Sequence, residues 1–420
     1  MTDRAIRLSV RDPELQRSRL TVAFRLLLAI PHYIWAAGWF SIASLVAVAS
    51  WIATLISGTP PKMFHDFLSA YVRYVSHLVA YLSMAANPYP DFTGRPGYPI
   101  DVQVDPPSQQ NRWVTGFRLI LAFPAILLAD TLLGFGTTTV GASIGTSGGV
   151  VATVAFLAWF ACVFTGRMPQ GFRDLAAYSI GYSAQTIGYL LLLTDRYPNS
   201  DPAVYESANV YRSDPIRLHF TDDDLRRSRL TVFFRLLLAV PHFVWLTLWG
   251  IAAFFGVIVN WFVTLFRGHP AASLHRFLAA LVRYQTHVYA YVQLVANPFP
   301  GFTGQPGRYP VEVETPAPER QNRWRTAFRL ILGFPAFMVV GALGTAAYLA
   351  AILSWFYALV RGHVPRGLRN LGAFYLRYSA QVFGYVYLLT DHYPYSGPSA
   401  GGQMELRPEI PQAPQTPQPT

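Results

Sequence analysis

The sequence predicts a mainly α-helical, polytopic membrane protein built from four parallel internal repeats, and three observations carry that prediction. The first is composition: 420 residues are 52% hydrophobic and 15% aromatic but only 13% charged, with a mean hydropathy of +0.27, where a soluble domain carries roughly 25% charge. The second is run length, since several apolar stretches reach or exceed the ~20 residues that cross a bilayer. The third is a phrase that recurs four times: Phe24-Arg25-Leu26 to Pro31, Phe117-Arg118-Leu119 to Pro124, Phe234-Arg235-Leu236 to Pro241 and Phe328-Arg329-Leu330 to Pro335.

The repeats are of two kinds. RSRLTVAFRLLLAIPHYIW from Arg17 returns as RSRLTVFFRLLLAVPHFVW from Arg227, and NRWVTGFRLILAFPA from Asn111 returns as NRWRTAFRLILGFPA from Asn322. The order A-B-A-B follows from an older duplication and a later one, so positions shared by A and B say most about the unit. Those positions are an arginine ahead of the phrase (Arg19, Arg112, Arg229, Arg323), a tryptophan (Trp51, Trp159, Trp261, Trp355), a glycine (Gly58, Gly166, Gly268, Gly362), a tyrosine (Tyr81, Tyr189, Tyr291, Tyr385) and a closing proline (Pro90, Pro198, Pro300, Pro394). The expected divisions are repeat A1 over 1–90, B1 over 91–199 with a small-residue insert at 134–149, A2 over 200–300, B2 over 301–395, and a disordered proline-rich tail over 396–420.

Each unit opens with a short alternating stretch, Ile6–Val10, Ile100–Val104, Ile216–Phe220 and Val311–Glu314. Such strands are unstable alone, so the four are expected to pair as one small cytoplasmic β-sheet. A long apolar helix follows, divided by its proline. In B1 the run GFGTTTVGASIGTSGG from Gly134 interrupts that helix and leaves open whether it folds as two shorter passes. A Gly/Pro turn leads to a second, amphipathic helix whose polar residues recur four apart: Ser69, Arg73, His77 and Tyr81 in A1; Gln185 and Tyr189 in B1; Arg283, His287 and Tyr291 in A2; Arg377, Gln381 and Tyr385 in B2. Two membrane helices per unit give about eight. Near-identical units with similar flanks then stand the same way up about an axis along the membrane normal.

The net charge of +11 comes from basic residues at segment ends. They read as anchors for anionic lipid headgroups rather than as a nucleic-acid surface. The arginine-rich side of the termini and linkers is expected to be cytoplasmic, and the opening MTDRAIRLSV lacks the apolar core of a signal peptide. Arginines or a lysine at the hairpin turns (Lys62, Arg167, Arg267, Arg361, Arg366) blur that bias. A single cysteine, Cys162, excludes an internal disulfide framework.

FRLLLAIPH, a Trp-x6-Gly-x2-Pro turn, Arg-Tyr on the second helix, and the ending Leu-Leu-Thr-Asp-x-Tyr-Pro at Leu192 and Leu388 together resemble a family of bacterial, often actinobacterial, integral-membrane proteins classed as a domain of unknown function. The resemblance covers about residues 5 to 395. The A units depart from the ending with Asn87-Pro88 and Asn297-Pro298. It implies a cell-membrane location and no established activity.

Two sets of residues are candidates for function. Arg25, Arg118, Arg235 and Arg329 stand at helix mouths, as interfacial anchors or as a ring binding an anion or lipid headgroup. The second-helix stripe is either packed inside a bundle or lines a cavity for an anionic solute. No cofactor or metal is expected: His32, His242, His77 and His287 occur only in A units, and Gln185 and Gln381 serve in place of the second pair. No P-loop, GxSxG or HExxH appears, so enzyme chemistry is not expected. The leading expectation is a non-enzymatic scaffold or lipid-contacting module, with membrane lipids and an envelope protein as partners; the alternative is a channel or transporter with its pathway on the pseudo-symmetry axis.

Overall fold

The computed structural model describes residues 4–11, 14–134, 148–202, 214–220 and 224–398. Each repeat is a helical hairpin. A1 comprises β1 (Ile6–Val10), α1 (Arg19–Ala23), α2 (Arg25–Leu28), α3 (Ile30–Ser57) and α4 (Lys62–Leu82). B1 comprises β2 (Ile100–Val104), α5 (Arg112–Gly116), α6 (Arg118–Leu133), α7 (Val150–Thr165) and α8 (Gln170–Leu190). A2 has β3 (Arg217–Phe220), α9 (Arg229–Arg267) and α10 (Ala272–Val292); B2 has β4 (Val311–Glu314), α11 (Arg323–Ala327), α12 (Arg329–Arg361) and α13 (Arg366–Val386).

Among the described residues, three helices, α3, α9 and α12, are long and apolar enough to cross a membrane. In B1 the corresponding arm is split. Residues 135–147 of the insert lie outside the described residues, but its flanking glycines Gly134 and Gly149 touch, so closely that a methyl group on either would overlap the other's backbone. Two sixteen-residue helices, α6 and α7, thus stand where α12 has 33 residues, and both pack on α8 as α12 packs on α13. α6 and α7 therefore take the place of one continuous arm. Gly58, Gly166, Gly268 and Gly362 end the four arms at φ of +72° to +80°, the left-handed conformation that glycine adopts at no steric cost.

The strands pair otherwise than expected. β1 joins β2 and β3 joins β4, both antiparallel, giving two two-stranded ribbons rather than one sheet. Each ribbon ties the A and B units of one half together. The physical reason is that each ribbon caps its own pair of second helices: Ile6 and Val102 pack with Leu68, Val72, Ala184 and Leu193 in one half, and Ile216 and Val313 with Leu278, Val282 and Ala380 in the other.

Nor do the units close around an axis. The contacts run A1–B1–B2–A2: α4 packs on α8, α12 packs on α6 and α7, and α10 packs on α13. The B arms meet through small residues, including Ala342, Ala346 and Ala350, at the centre of the largest core cluster. The A arms lie at the outside and are the least buried.

The second helices form a middle layer. On one side lies the long arm, which runs antiparallel to its partner: His32 meets Tyr74 at 3.0 Å and Trp39 packs on Tyr71 and Phe67. On the other lies the chain that follows each second helix and runs back along it toward the ribbon. In A1 that chain passes at Gly94, whose carbonyl accepts from Arg73 at 3.2 Å, and ends where the Gln110 N–H donates to the Gly58 carbonyl.

Candidate functional site

The recurring residues divide the work of holding these layers. Phe24, Phe117 and Phe328 interrupt the helix line while Phe234 lies within the unbroken α9, and in all four units the following arginine reaches the end of the second helix of its own unit. Arg25 Nη1 donates to the carbonyls of Tyr81 (2.8 Å) and Ala86 (3.2 Å), and Nη2 to Asn87 Oδ1 (3.3 Å). Arg235 repeats this with Tyr291 (2.7 Å), Ala296 (3.0 Å) and Asn297. Arg118 takes the carbonyls of Tyr189 and Thr194, both at 2.6 Å, and Arg329 that of Thr390 at 3.1 Å. Each guanidinium also lies over the recurring tyrosine of its unit, Tyr81, Tyr189, Tyr291 or Tyr385, at 4.2–4.5 Å from the ring centroid.

A cation at a helix C-terminus is favoured by the carbonyls that the helix leaves unsatisfied. Here the need is acute, because every second helix ends on a non-glycine residue in left-handed conformation: Met84, Leu192, Leu294 and Leu388, at φ of +57° to +65°. All four arginines are no more than 2% exposed. They are held separately, one per unit, and do not form a ring.

A residue that sequence reasoning passed over completes each site. The position two before the exposed arginine is Arg17 or Arg227 in A units and Gln110 or Gln321 in B units. Arg17 donates to the carbonyls of Met84 and Ala85, and Arg227 to those of Leu294 and Val295. In B units the glutamine Nε2 serves the left-handed leucine, Leu192 (2.5 Å) or Leu388 (2.6 Å), while its Oε1 accepts from Arg118 or Arg329. The signal was present: this swap coincides with the change from Asn-Pro to Thr-Asp at the unit's end. In B2 that aspartate, Asp391, reaches Arg329 at 3.2 Å, an acid partner invisible at helical spacing.

The exposed arginines fasten one unit to another. Arg112 donates to the Ile56 carbonyl, Arg229 to Val360 and Arg323 to Phe266, at 2.9–3.0 Å, each at the end of the other arm in its half. Beside them Trp51, Trp261 and Trp355 donate to Thr115, Thr326 and Val232 in the first turn of that other arm.

The second-helix stripes face the ribbons and the returning chain of their own halves. His77 Nε2 lies 2.9 Å from Asp101 Oδ1 on β2, and its ring stacks on Tyr98. Burial alone would raise the Asp101 carboxyl; hydrogen bonds from His77 and the Gly97 and Val102 N–H groups, with the imidazole's charge, hold it below the usual carboxylate range. Arg283 pairs with Glu312 on β4 at 2.6 Å, and His287 packs on Tyr309. Gln185 accepts from the Asn199 N–H; Gln381 donates to Asp214 and the Ile216 carbonyl; Arg377 donates to the Gly397 carbonyl. The stripe is thus an internal seam, closed by acids and carbonyls from distant sequence.

Residues 19–93, 140–200, 229–303 and 323–396 each match one protein family, described as a domain of unknown function, DUF4389. The chain belongs to that family. Three of the four DUF4389 stretches begin on the arginine ahead of the phrase, Arg19, Arg229 or Arg323, and the last two of these grip the neighbouring hairpin of their half. The B1 stretch begins only at residue 140, inside the insert, and leaves α6 outside the match. No curated protein and no solved structure matches the chain. In DUF4389 terms the protein is four tandem units whose shared residues are joints.

Proposed function

We propose that the protein is a non-enzymatic membrane protein of the bacterial cell envelope, a scaffold whose working surface is its contact with lipid. One observation carries this: the long arms expose large apolar side chains along their whole length. Leu26, Leu45, Ile56, Leu236, Phe254 and Phe266 are each 61–73% exposed, and the most apolar stretches of α3 and α9 are only 17% and 11% buried. Each such side chain left in water forgoes about 1.5–3 kcal/mol, and a patch of this extent marks a lipid or protein partner. The mean composition of the arms favours lipid. Anionic headgroups are the natural partners of the exposed arginines at the arm ends, and the arginine-rich ribbon side is the side we assign to the cytoplasm, available to an envelope protein.

The channel or transporter reading needs polar stripes that line a wet path. In this arrangement Arg73, Arg283 and Arg377 are engaged by backbone carbonyls and by acids of the same half, which favours the scaffold. Reconstitution into sealed liposomes is expected to give no flux of chloride or small organic anions above protein-free vesicles, for the wild type and for Arg73→Ala/Arg283→Ala alike. Wild-type flux abolished by that double substitution would reverse the choice.

A further inference from the structure

We infer that the long arms lie in the plane of the membrane, embedded in one leaflet, so that the protein meets the bilayer from one side without crossing it. The inference rests on the lipid-contact reading and fixes its geometry. Four features lead to it.

The first is length. α9 has 39 residues, about 58 Å at 1.5 Å per residue, against a hydrocarbon core of roughly 30 Å. Its exposed apolar side chains run from Leu230 to Phe266, from one end to the other. A crossing helix would leave nearly half of that surface in water.

The second is the path of the returning chain. After α4 the backbone travels from Asn87, beside Arg25, to Gln110, beside Gly58, and so covers the length of the hairpin in the opposite sense. Gly94 lies against Ala70 and Tyr74, and Asp101 bonds His77, so the path follows α4. The stretch carries exposed Asp91, Arg95 and Gln103 and has no helix. Were α4 to cross the bilayer, this irregular polar stretch would cross beside it. Backbone of that kind at membrane depth is not tolerated where lipid touches it. The other half repeats the path through Gly304, Glu312 and Gln321.

The third is alignment. α3 runs antiparallel to α4 along a narrow stripe, from His32 at Tyr74 to Ala43 at Leu68 and Val72. An arm so paired takes the orientation of its second helix. If α4 lies flat beneath the ribbon, so does α3, with lipid on its remaining sides.

The fourth is charge. Both ends of each A arm are basic and exposed, Arg19 and Lys62 in A1, Arg229 and Arg267 in A2. The start of one arm sits beside the end of another, as Arg112 on the Ile56 carbonyl shows. For a crossing hairpin this would put arginines on both faces, against the usual bias. For an arm lying in one leaflet, both ends meet the same headgroup layer. The blurred charge asymmetry of the sequence is then what the geometry requires.

The test uses the full chain in sealed membrane vesicles of one orientation, in a Cys162→Ala background, with Ser18→Cys at the start of the A1 arm, Thr59→Cys at its far end and His269→Cys at the far end of the A2 arm. All three replaced residues are exposed. A membrane-impermeant maleimide is added before and after permeabilisation. In-plane arms predict that the three cysteines react from the same side. Reaction of Thr59→Cys only from the side opposite Ser18→Cys overturns the inference and leaves lipid contact standing. A chain recovered in the aqueous supernatant without detergent overturns the lipid-contact reading and the in-plane placement with it.

Discussion

Replacing Arg25 by alanine is expected to cost about 2–5 kcal/mol of stability, since each buried acceptor it leaves unsatisfied costs about 1–3 kcal/mol. The guanidinium makes three hydrogen bonds and covers the Tyr81 ring at 4.3 Å. Its loss strands the Tyr81 and Ala86 carbonyls at a turn already held in left-handed conformation by Met84. Lysine is not expected to rescue it, because one ammonium cannot span two carbonyls and an amide as a planar fork does. Thermal unfolding in detergent should therefore show a large, similar drop for Arg25→Ala and Arg25→Lys. Arg19→Ala removes an exposed residue and is expected to cost under about 1 kcal/mol. Equal losses for Arg19 and Arg25 would mean that the buried arginine is not what locks the hairpin.

Gly94→Ala is the second large effect, about 2–5 kcal/mol. Gly94 has φ +64°, and a methyl group there would collide with the Ala70 carbonyl oxygen. Left-handed backbone costs a non-glycine residue roughly 1–2 kcal/mol and overpacking adds about 1–3 kcal/mol. Since backbone, not a flexible side chain, blocks the space, the returning chain must lift from α4. Gly304→Ala meets the Ala280 carbonyl and Tyr284 in the same way and should match it. Gly38→Ala is the control. Its methyl meets nothing within 4 Å in the middle of α3, so a gain of about 0.5–1 kcal/mol is expected. Unfolding midpoints of the three variants decide the matter, and a neutral Gly94→Ala would contradict the close passage of the chain over α4.

Much of this fold was legible as pattern. The four strand–helix–turn–helix units and the glycines that end the long arms follow from positions that A and B units share, as does the recurrence of an arginine and a tyrosine in every copy, but not the stacking of one on the other. What pattern cannot carry is who faces whom. Arg25 and Arg329 read alike, yet one bonds Asn87 and the other Gln321 and Asp391, partners set by folding rather than by spacing. The stripe of Arg73, His77 and Tyr81 was visible as one face, but its cover, Gly94 and Asp101, comes from the next unit's approach and has no helical periodicity to betray it. The expectation of four equivalent units about one axis failed for a related reason: repeats imply equivalence of units, and only the packing of α12 on α6 and α7 reveals the linear order. Hydropathy likewise cannot separate a helix lying in a leaflet from one crossing it, since both need an apolar surface of similar composition.

The most direct measurement of the central claim is a spin-label scan along α2 and α3 in anionic liposomes, at Leu26, Ile34, Leu45, Ile52 and Ile56, all exposed. Collision rates with lipid-dissolved oxygen and with a water-soluble nickel chelate report surroundings and depth. Arms lying in one leaflet predict oxygen-dominated collisions at all five positions and one shared depth. Nickel-dominated collisions at Leu45 and Ile52 would contradict lipid contact, and a depth that passes through the bilayer centre between Leu26 and Ile56 would contradict the in-plane arm.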